Sequence, residues 1–416
     1  MPRLEQVRVE SRCRRHAPHD RRPRVRIVHT YHTFDPRDGG PAAVITSIAL
    51  QQLRAGHEVT LISSDPVPEG PNTDVVAEYL AERFGVPPPR LSVVPTASAL
   101  LGVCAAELNA VISACDVLHV HAVWPPSGLL AAREARRLGR PYVFTAHGQL
   151  HHAALRQKRL KKLFGRYVVG YDQMIRHAGC VQFLNEAEKA AALGPKRRGH
   201  ELVIPNGVDP SEFADLPERG AFRRRVPGLG SAPFILFLAR LHPQKSPMTL
   251  LSAFERLQTA NPELHLVFVG PDQGELAGLR GRTASAGLES RVHFVGPVLG
   301  SARIEALRDA AVFCLPSVQE GQSVAVLEAL AAGTPCVLTT TCDFNDVVTA
   351  RCGLVVPRDP RALADALDTV LRAADREQMG ERGRALVFEH FTWEVVAKRV
   401  EVMYALCRGK NGGDSP

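Results

Sequence analysis

Val312-Phe313-Cys314-Leu315-Pro316-Ser317-Val318-Gln319-Glu320-Gly321-Gln322-Ser323-Val324-Ala325-Val326-Leu327-Glu328-Ala329-Leu330 reads as one strand, one loop and the start of one helix. The run at 312–316 is apolar on both faces and stops at a proline, as a fully covered parallel strand does. From near Ser323 the residues are good helix formers, so the backbone amides of Gln322, Ser323 and Val324 should lie free at a helix N-terminus. Glu328 then falls within an apolar helix, where a carboxylate is costly unless it is hydrogen-bonded.

The same strand-then-helix unit recurs on both sides of this stretch. Strand-like runs are expected near 25–30, 58–63, 91–94, 117–121, 142–146, 180–184 and 202–205, then near 234–239, 264–270, 292–296, 312–316, 336–339 and 354–356. Short β-branched runs separated by helical stretches predict βαβ units and parallel sheets. Two such sets in 416 residues predict two Rossmann-like α/β domains. The expected division is a basic disordered leader at 1–23, a first domain at 24–208, a linker at 209–232, a second domain at 233–391 and a terminal helix at 392–408. The linker is assigned where Pro, Gly and charge replace any clear period.

Composition removes several classes of function. Hydrophobic residues make up 45% and charged residues 23%, ordinary for a globular chain, and no apolar run is long enough to span a bilayer. No secretory signal pattern opens the chain, and the nine cysteines show no Cys-x-x-Cys pair, so a reducing cytoplasmic setting is expected. The net charge of +8 is local. Residues 1–26 hold nine arginines against three acids, 156–166 hold six cations and no acid, and the remainder is −4. A leader without aromatics argues against nucleic-acid binding. The basic 155–171 segment has apolar residues at helical spacing. It could rest against an anionic membrane as a peripheral contact or lie as a solvated face on a core-packed helix.

In parallel α/β sheets ligands bind beyond the C-terminal strand ends, so residues there are the candidates. Besides Glu320 and Glu328, Arg240 closes one strand and Lys245 lies in the following loop, before a helix expected to be capped by Ser246 and opened by Pro247. Two cations at one strand end can neutralise a diphosphate without a metal, and no Asp-x-Asp pair occurs. Asp38-Gly39-Gly40-Pro41 places two glycines before a helix, and Thr145-Ala146-His147-Gly148 puts His147 past a strand end. His119 and His121, alternating on another strand, read as structural.

Together these motifs resemble the retaining GT-B glycosyltransferases of family 4, over about residues 25–406. The most specific element is Glu320 and Glu328 with seven residues between them, supported by Arg240 and Lys245, by 145–148 and by Pro205-Asn206-Gly207-Val208-Asp209. The resemblance implies an interdomain donor cleft and sugar transfer from a UDP- or GDP-sugar, with retention and without metal or other cofactor. The acceptor would be a saccharide or a lipid-linked group, in envelope polysaccharide, exopolysaccharide or glycolipid synthesis. It assigns Arg240 and Lys245 to the diphosphate, Glu320 to donor-sugar hydroxyls, Glu328 to the ribose and His147 to positioning the sugar. It gives the backbone at Gly39, Gly40, Asn206, Gly321, Gln322, Ser323 and Val324 to phosphate and sugar, and that at Val295 to the base. The chain departs from the family pattern after Gly321, where Gln322-Ser323 replace Phe-Gly or similar, so sugar stereochemistry is not inferred there. A nucleotide-sugar epimerase or a phosphorylase of the same architecture, or a non-catalytic nucleotide-sugar-binding protein, are the competing readings.

Overall fold

A computed structural model describes residues 24–34, 40–63, 90–93, 106–150, 165, 169–298 and 300–409. The basic leader, Asp38, Gly39 and most of 155–171 lie outside the described residues.

The first half forms a seven-stranded parallel sheet in the order β3-β2-β1-β4-β5-β6-β7. Its strands are β1 Arg26–Tyr31, β2 Glu58–Ser63, β3 Arg90–Val93, β4 Val117–His121, β5 Tyr142–Thr145, β6 Cys180–Phe183 and β7 His200–Val203. Helices α1 Gly40–Arg54, α2 Ala106–Ala114, α3 Pro126–Arg137, α4 Tyr171–His177 and α5 Glu186–Ala191 connect them. The second half forms a six-stranded parallel sheet in the order β10-β9-β8-β11-β12-β13. It contains β8 Phe234–Leu238, β9 His265–Val269, β10 Val292–Gly296, β11 Val312–Leu315, β12 Cys336–Thr339 and β13 Gly353–Val356. Its helices are α6 Pro247–Leu257, α7 Leu276–Ser285, α8 Ser301–Asp309, α9 Val324–Ala331, α10 Asp346–Thr349, α11 Pro360–Arg372 and α12 Arg376–His390, followed by α13 Trp393–Gly409. Both strand orders reverse direction beside the first strand of the sheet, which creates a crevice at the C-terminal strand ends.

Three local readings differ from expectation. The strand expected at 202–205 is His200–Val203, because it pairs with β6 in the register Cys180↔His200 to Phe183↔Val203 and Pro205 has no amide to extend the ladder. Residues 209–232, expected as a linker, instead pack onto the second sheet. Phe213, Phe222, Val226 and Leu229 are buried in its core, and the carboxylate of Asp309 accepts from the amides of Gly220, Phe222 and Arg223. Ser246 stands before α6, but its side chain makes no backbone cap. Pro243–Lys245 is a short 3₁₀ turn, started by His242 Nδ1 accepting from the amide of Gln244.

The chain crosses between the sheets at two adjoining points. The Val208 amide donates to the Phe391 carbonyl (2.8 Å), and the Trp393 amide returns to the Val208 carbonyl (3.0 Å). Gly207 sits at this crossing, where a Cβ would come within 2.9 Å of the Trp393 nitrogen. Beyond it α13 lies on the first sheet. Trp393, Val396, Val400, Met403, Tyr404 and Cys407 pack against Val25, Ile27, Val117, Val143 and Cys180. The last helix in sequence therefore belongs, by packing, to the first domain. Among the described residues no helix is long and apolar enough to cross a membrane.

Candidate functional site

The β11–α9 loop is the centre of the site. Its position is held from the neighbouring strand, since Thr339 Oγ1 and Thr341 Oγ1 both donate to the Ser317 carbonyl (2.9 and 2.5 Å). The Glu320 amide donates to the Thr341 carbonyl (3.1 Å), and the Val318 amide to the Gln244 carbonyl (2.8 Å). The loop is thereby fastened to the turn carrying Lys245. Lys245 Nζ lies 2.5 Å from Glu320 Oε1, with side chains only 15% and 7% exposed, and Ser317 Oγ donates to the same oxygen. A pair so enclosed, made by one sheet's loops, keeps a cation and an anion at one spot.

The amides of Gln322, Ser323 and Val324 have no partner among the described residues, and Ser323 gives no side-chain cap to α9. Three unpartnered amides at a helix N-terminus favour an anion. Glu328 is one turn further in and is buried, but its partner is a protein group: Arg303 of α8 donates through Nη1 to Glu328 and through Nη2 to Glu212 (2.5 Å). Sequence reasoning missed Arg303 and Glu212, which lie 25 and 116 residues from Glu328 with no motif to connect them. Arg240 is exposed at the end of β8 and donates to Gln273 (2.8 Å). Val295 is the extra residue of a β-bulge, because the β10–β9 ladder runs Phe294↔Phe268 and then Gly296↔Val269. Bulges concentrate at such sites because they release a backbone unit from the ladder.

The first domain meets this loop closely. Asn206 donates from its amide to Gln322 Oε1 (2.5 Å) and from Nδ2 to the Gln322 carbonyl (3.1 Å). Gln319 Nε2 donates to the Gly148 carbonyl (3.3 Å), and Asn185 Nδ2 donates to the Gly321 carbonyl. At Gly321 a Cβ would meet Leu184 Cδ1 at 3.2 Å and the Gly148 nitrogen at 3.4 Å, so glycine permits the two backbones to touch. Glu188, buried on α5, accepts from the amides of Gly148 (2.5 Å) and Leu184 (2.6 Å) while burial pushes its carboxyl up. Neither Asn185 nor Glu188 was among the expected residues. Their signal was legible, since Asn185 after a strand with Glu188 three residues later is a helix-cap pattern, and Asn185 Oδ1 accepts from the Glu188 amide. Gly40 opens α1 with φ of +37°.

His147 stands beside this interface with φ of +49°, a conformation an L-residue rarely adopts. Its Nε2 pairs with His121 Nδ1 (3.0 Å), and His121 Nε2 pairs with His29 Nδ1 (2.9 Å). Burial pushes His29 and His147 down to about 4 and holds His119 and His121 well below the usual imidazole range, so all four are neutral near pH 7. His29, His119 and His121 have ring nitrogens within 4.8 Å of one another, a spacing that suits a metal. In the structure those nitrogens are engaged in hydrogen bonds.

Residues 38–212 match the family described as Glycosyltransferase Family 4, and residues 232–373 match Glycosyl transferases group 1. The chain is 30% identical over 318 residues to the D-inositol 3-phosphate glycosyltransferase of Xylanimonas cellulosilytica, covering 73% of this chain and 75% of that one. It is 28% identical over 398 residues to the phosphatidyl-myo-inositol mannosyltransferase of Mycolicibacterium smegmatis, covering 93% and 94%. Its fold superposes on Anabaena HepE in complex with UDP and glucose with a TM-score of 0.75 at 17% identity, over 92% of this chain and 99% of that one. With its paired parallel sheets, adjoining crossovers and returning terminal helix, the chain belongs to the family 4 glycosyltransferases of GT-B architecture.

Proposed function

We propose that the chain moves a glycosyl group from a nucleoside-diphosphate sugar to a hydroxyl acceptor, with retention and without a metal. The observation that carries this is the set of unpartnered amides at Gln322, Ser323 and Val324, next to the enclosed Lys245–Glu320 pair. In this reading the donor diphosphate takes those amides, Lys245 and Arg240. Glu320, released from Lys245, accepts from sugar hydroxyls. Glu328, held by Arg303, is assigned to the ribose, and the freed backbone at the Val295 bulge meets the base. The Gly39-Gly40 segment at the start of α1, together with His147, would bound the sugar from the other side.

The C1–O bond to the β-phosphate breaks while a new C1–O bond to the acceptor forms on the same face. The acceptor proton passes to the departing phosphate oxygen, whose charge the amides and cations stabilise. The relatives named above act on inositol phosphate or phosphatidylinositol, which supports a glycolipid-type acceptor on the first domain, where the basic 155–171 segment would favour an anionic, lipid-linked group. The deciding experiment is a panel of UDP- and GDP-sugars scored for hydrolysis, transfer and thermal protection with and without EDTA. Protection and turnover that survive EDTA are expected; strict dependence on added Mg²⁺ or Mn²⁺ would overturn the metal-free account.

A further inference from the structure

Eight hydrogen bonds run in series through the first domain, and a single backbone carbonyl sets their direction. The Ile204 carbonyl can only accept, so Gln182 offers it Nε2 (2.9 Å) and turns Oε1 to Thr145 Oγ1 (2.9 Å). The Thr145 hydroxyl gives its proton to Gln182 and must accept from His119 Nε2 (2.7 Å). His119 Nδ1 then accepts from the Tyr404 hydroxyl (2.8 Å), which accepts from Gln52 Nε2 (3.1 Å). Gln52 Oε1 accepts from His29 Nε2 (2.8 Å), His29 Nδ1 from His121 Nε2 (2.9 Å), and His121 Nδ1 from His147 Nε2 (3.0 Å). Each neutral imidazole has one donor and one acceptor nitrogen, so no link can reverse alone.

We propose that this relay locks His147 in its Nε2–H tautomer, leaving Nδ1 as a hydrogen-bond acceptor, and that Gln52 and Tyr404 are positioning residues for it. The functional consequence rests on the reading of His147 as the residue that positions the donor sugar: it would receive a sugar hydroxyl at Nδ1. The terminal helix thus does more than cover the first sheet, because the Tyr404 hydroxyl from α13 transmits the polarity between its two halves.

The test uses the full chain labelled with ¹⁵N-histidine, with long-range ¹H–¹⁵N spectra at pH 7 and His147→Asn to identify the resonance. Wild type should show His147 as one neutral tautomer, protonated at Nε2. Tyr404→Phe keeps the ring and removes the hydroxyl, and Gln52→Met keeps the length and removes the amide. In both, the His147 Nδ1 resonance should move toward the protonated range, and donor KM should rise more than kcat falls. His147 protonated at Nδ1 in wild type, or an unchanged tautomer in both variants, would overturn the relay. An intact tautomer pattern with normal donor KM in His147→Asn would keep the relay and remove His147 from the sugar site.

A separate observation lies at the N-terminal strand ends of the second sheet, opposite the crevice, beside Pro233, Ala310 and Pro335, which precede β8, β11 and β12. A cavity of about 450 Å³ there is lined by Arg219, Arg223, Arg308, Arg376 and Arg384, together with the acids Asp309, Glu377 and Glu381. None of the five has a carboxylate partner among the described residues; they donate to the carbonyls of Arg308, Ala232, Asp309, Ala332, Leu371, Ala331 and Phe213. Asp309 has both oxygens on backbone amides, and the Arg308 Nε is buried without a partner. The five half-buried or exposed guanidiniums outnumber the three carboxylates by two, and Asp309 is already taken up by backbone amides, so the excess of cation favours an anion. We infer that this cavity binds a compact polyanion of the pyrophosphate or sugar-phosphate class, away from the cleft. Pyrophosphate should raise Tm in wild type and in Lys245→Ala, and lose most of that effect in Arg219→Ser/Arg376→Ser. No protection, or protection that the arginine changes leave intact, would overturn it.

Discussion

Lys245 and Glu320 make opposite demands on any substitution. Lys245→Ala should lower kcat by about a hundredfold, the scale for removing one preorganised charge-stabilising group. It also leaves the enclosed Glu320 carboxylate without its cation, so a folding stability lower by about 3 kcal/mol is expected alongside. Glu328→Gln should instead raise donor KM with a smaller change in kcat, because ribose contacts are equal in ground and transition states. Near-normal kinetics in both variants with the true donor would remove this cleft from the mechanism. The buried histidines predict a pH response of stability. Their folded pKa lies below the unfolded value near 6.5, so the unfolded chain takes up protons first on acidification. Their contribution is complete above pH ~6.5 and is lost as pH falls toward about 4, with a slope of up to ~1.4 kcal/mol per pH unit for each histidine. Urea midpoints at pH 7.5, 6 and 5 measure it, and His29→Gln should flatten the dependence.

At the scale of elements, the parallel strands were legible because burial on both faces leaves a continuous apolar signature that polar loops interrupt. The 209–232 stretch was not. Its phenylalanines are isolated among charges, and each finds its place on the second sheet without helical or strand period. The crossing at Gly207 depends on a close approach: Gly207→Ala should push on the Trp393 and Thr392 backbone and cost about 1–3 kcal/mol, read as a drop in Tm. Removing α13 should cost far more, since it uncovers the face built from Val25, Ile27, Val117, Val143 and Cys180. A soluble, cooperatively folding 24–391 fragment would contradict this packing.

At the scale of the whole molecule, two predictions follow from segments outside the described residues. Deleting 1–22 should leave fold and donor binding intact, since that stretch has no apolar period and precedes β1. Loss of soluble expression or of donor binding on truncation would contradict it. Vesicles containing anionic lipid should sediment the full chain at low salt. Six cations at about 1 kcal/mol each suffice for surface binding without insertion. Changing Lys158, Lys161 and Lys162 to Glu should release it. Binding that is absent, or indifferent to salt and charge reversal, would leave only a solvated basic face.

The sequence by itself determined the α/β class, the two parallel sheets and the Glu320…Glu328 loop, because those depend on local period and on spacing along one segment. The tertiary structure alone decided what each charge touches. Glu328 meets Arg303 and Glu212, Lys245 closes on Glu320, and Asn206 reaches Gln322 across the domains. It also turned His119 and His121, two structural histidines by sequence, into links of one chain that passes through Tyr404 and ends at His147. Hydrogen bonds and ion pairs act over a few ångströms between residues up to 352 positions apart, and no pattern along the chain encodes which of them will meet.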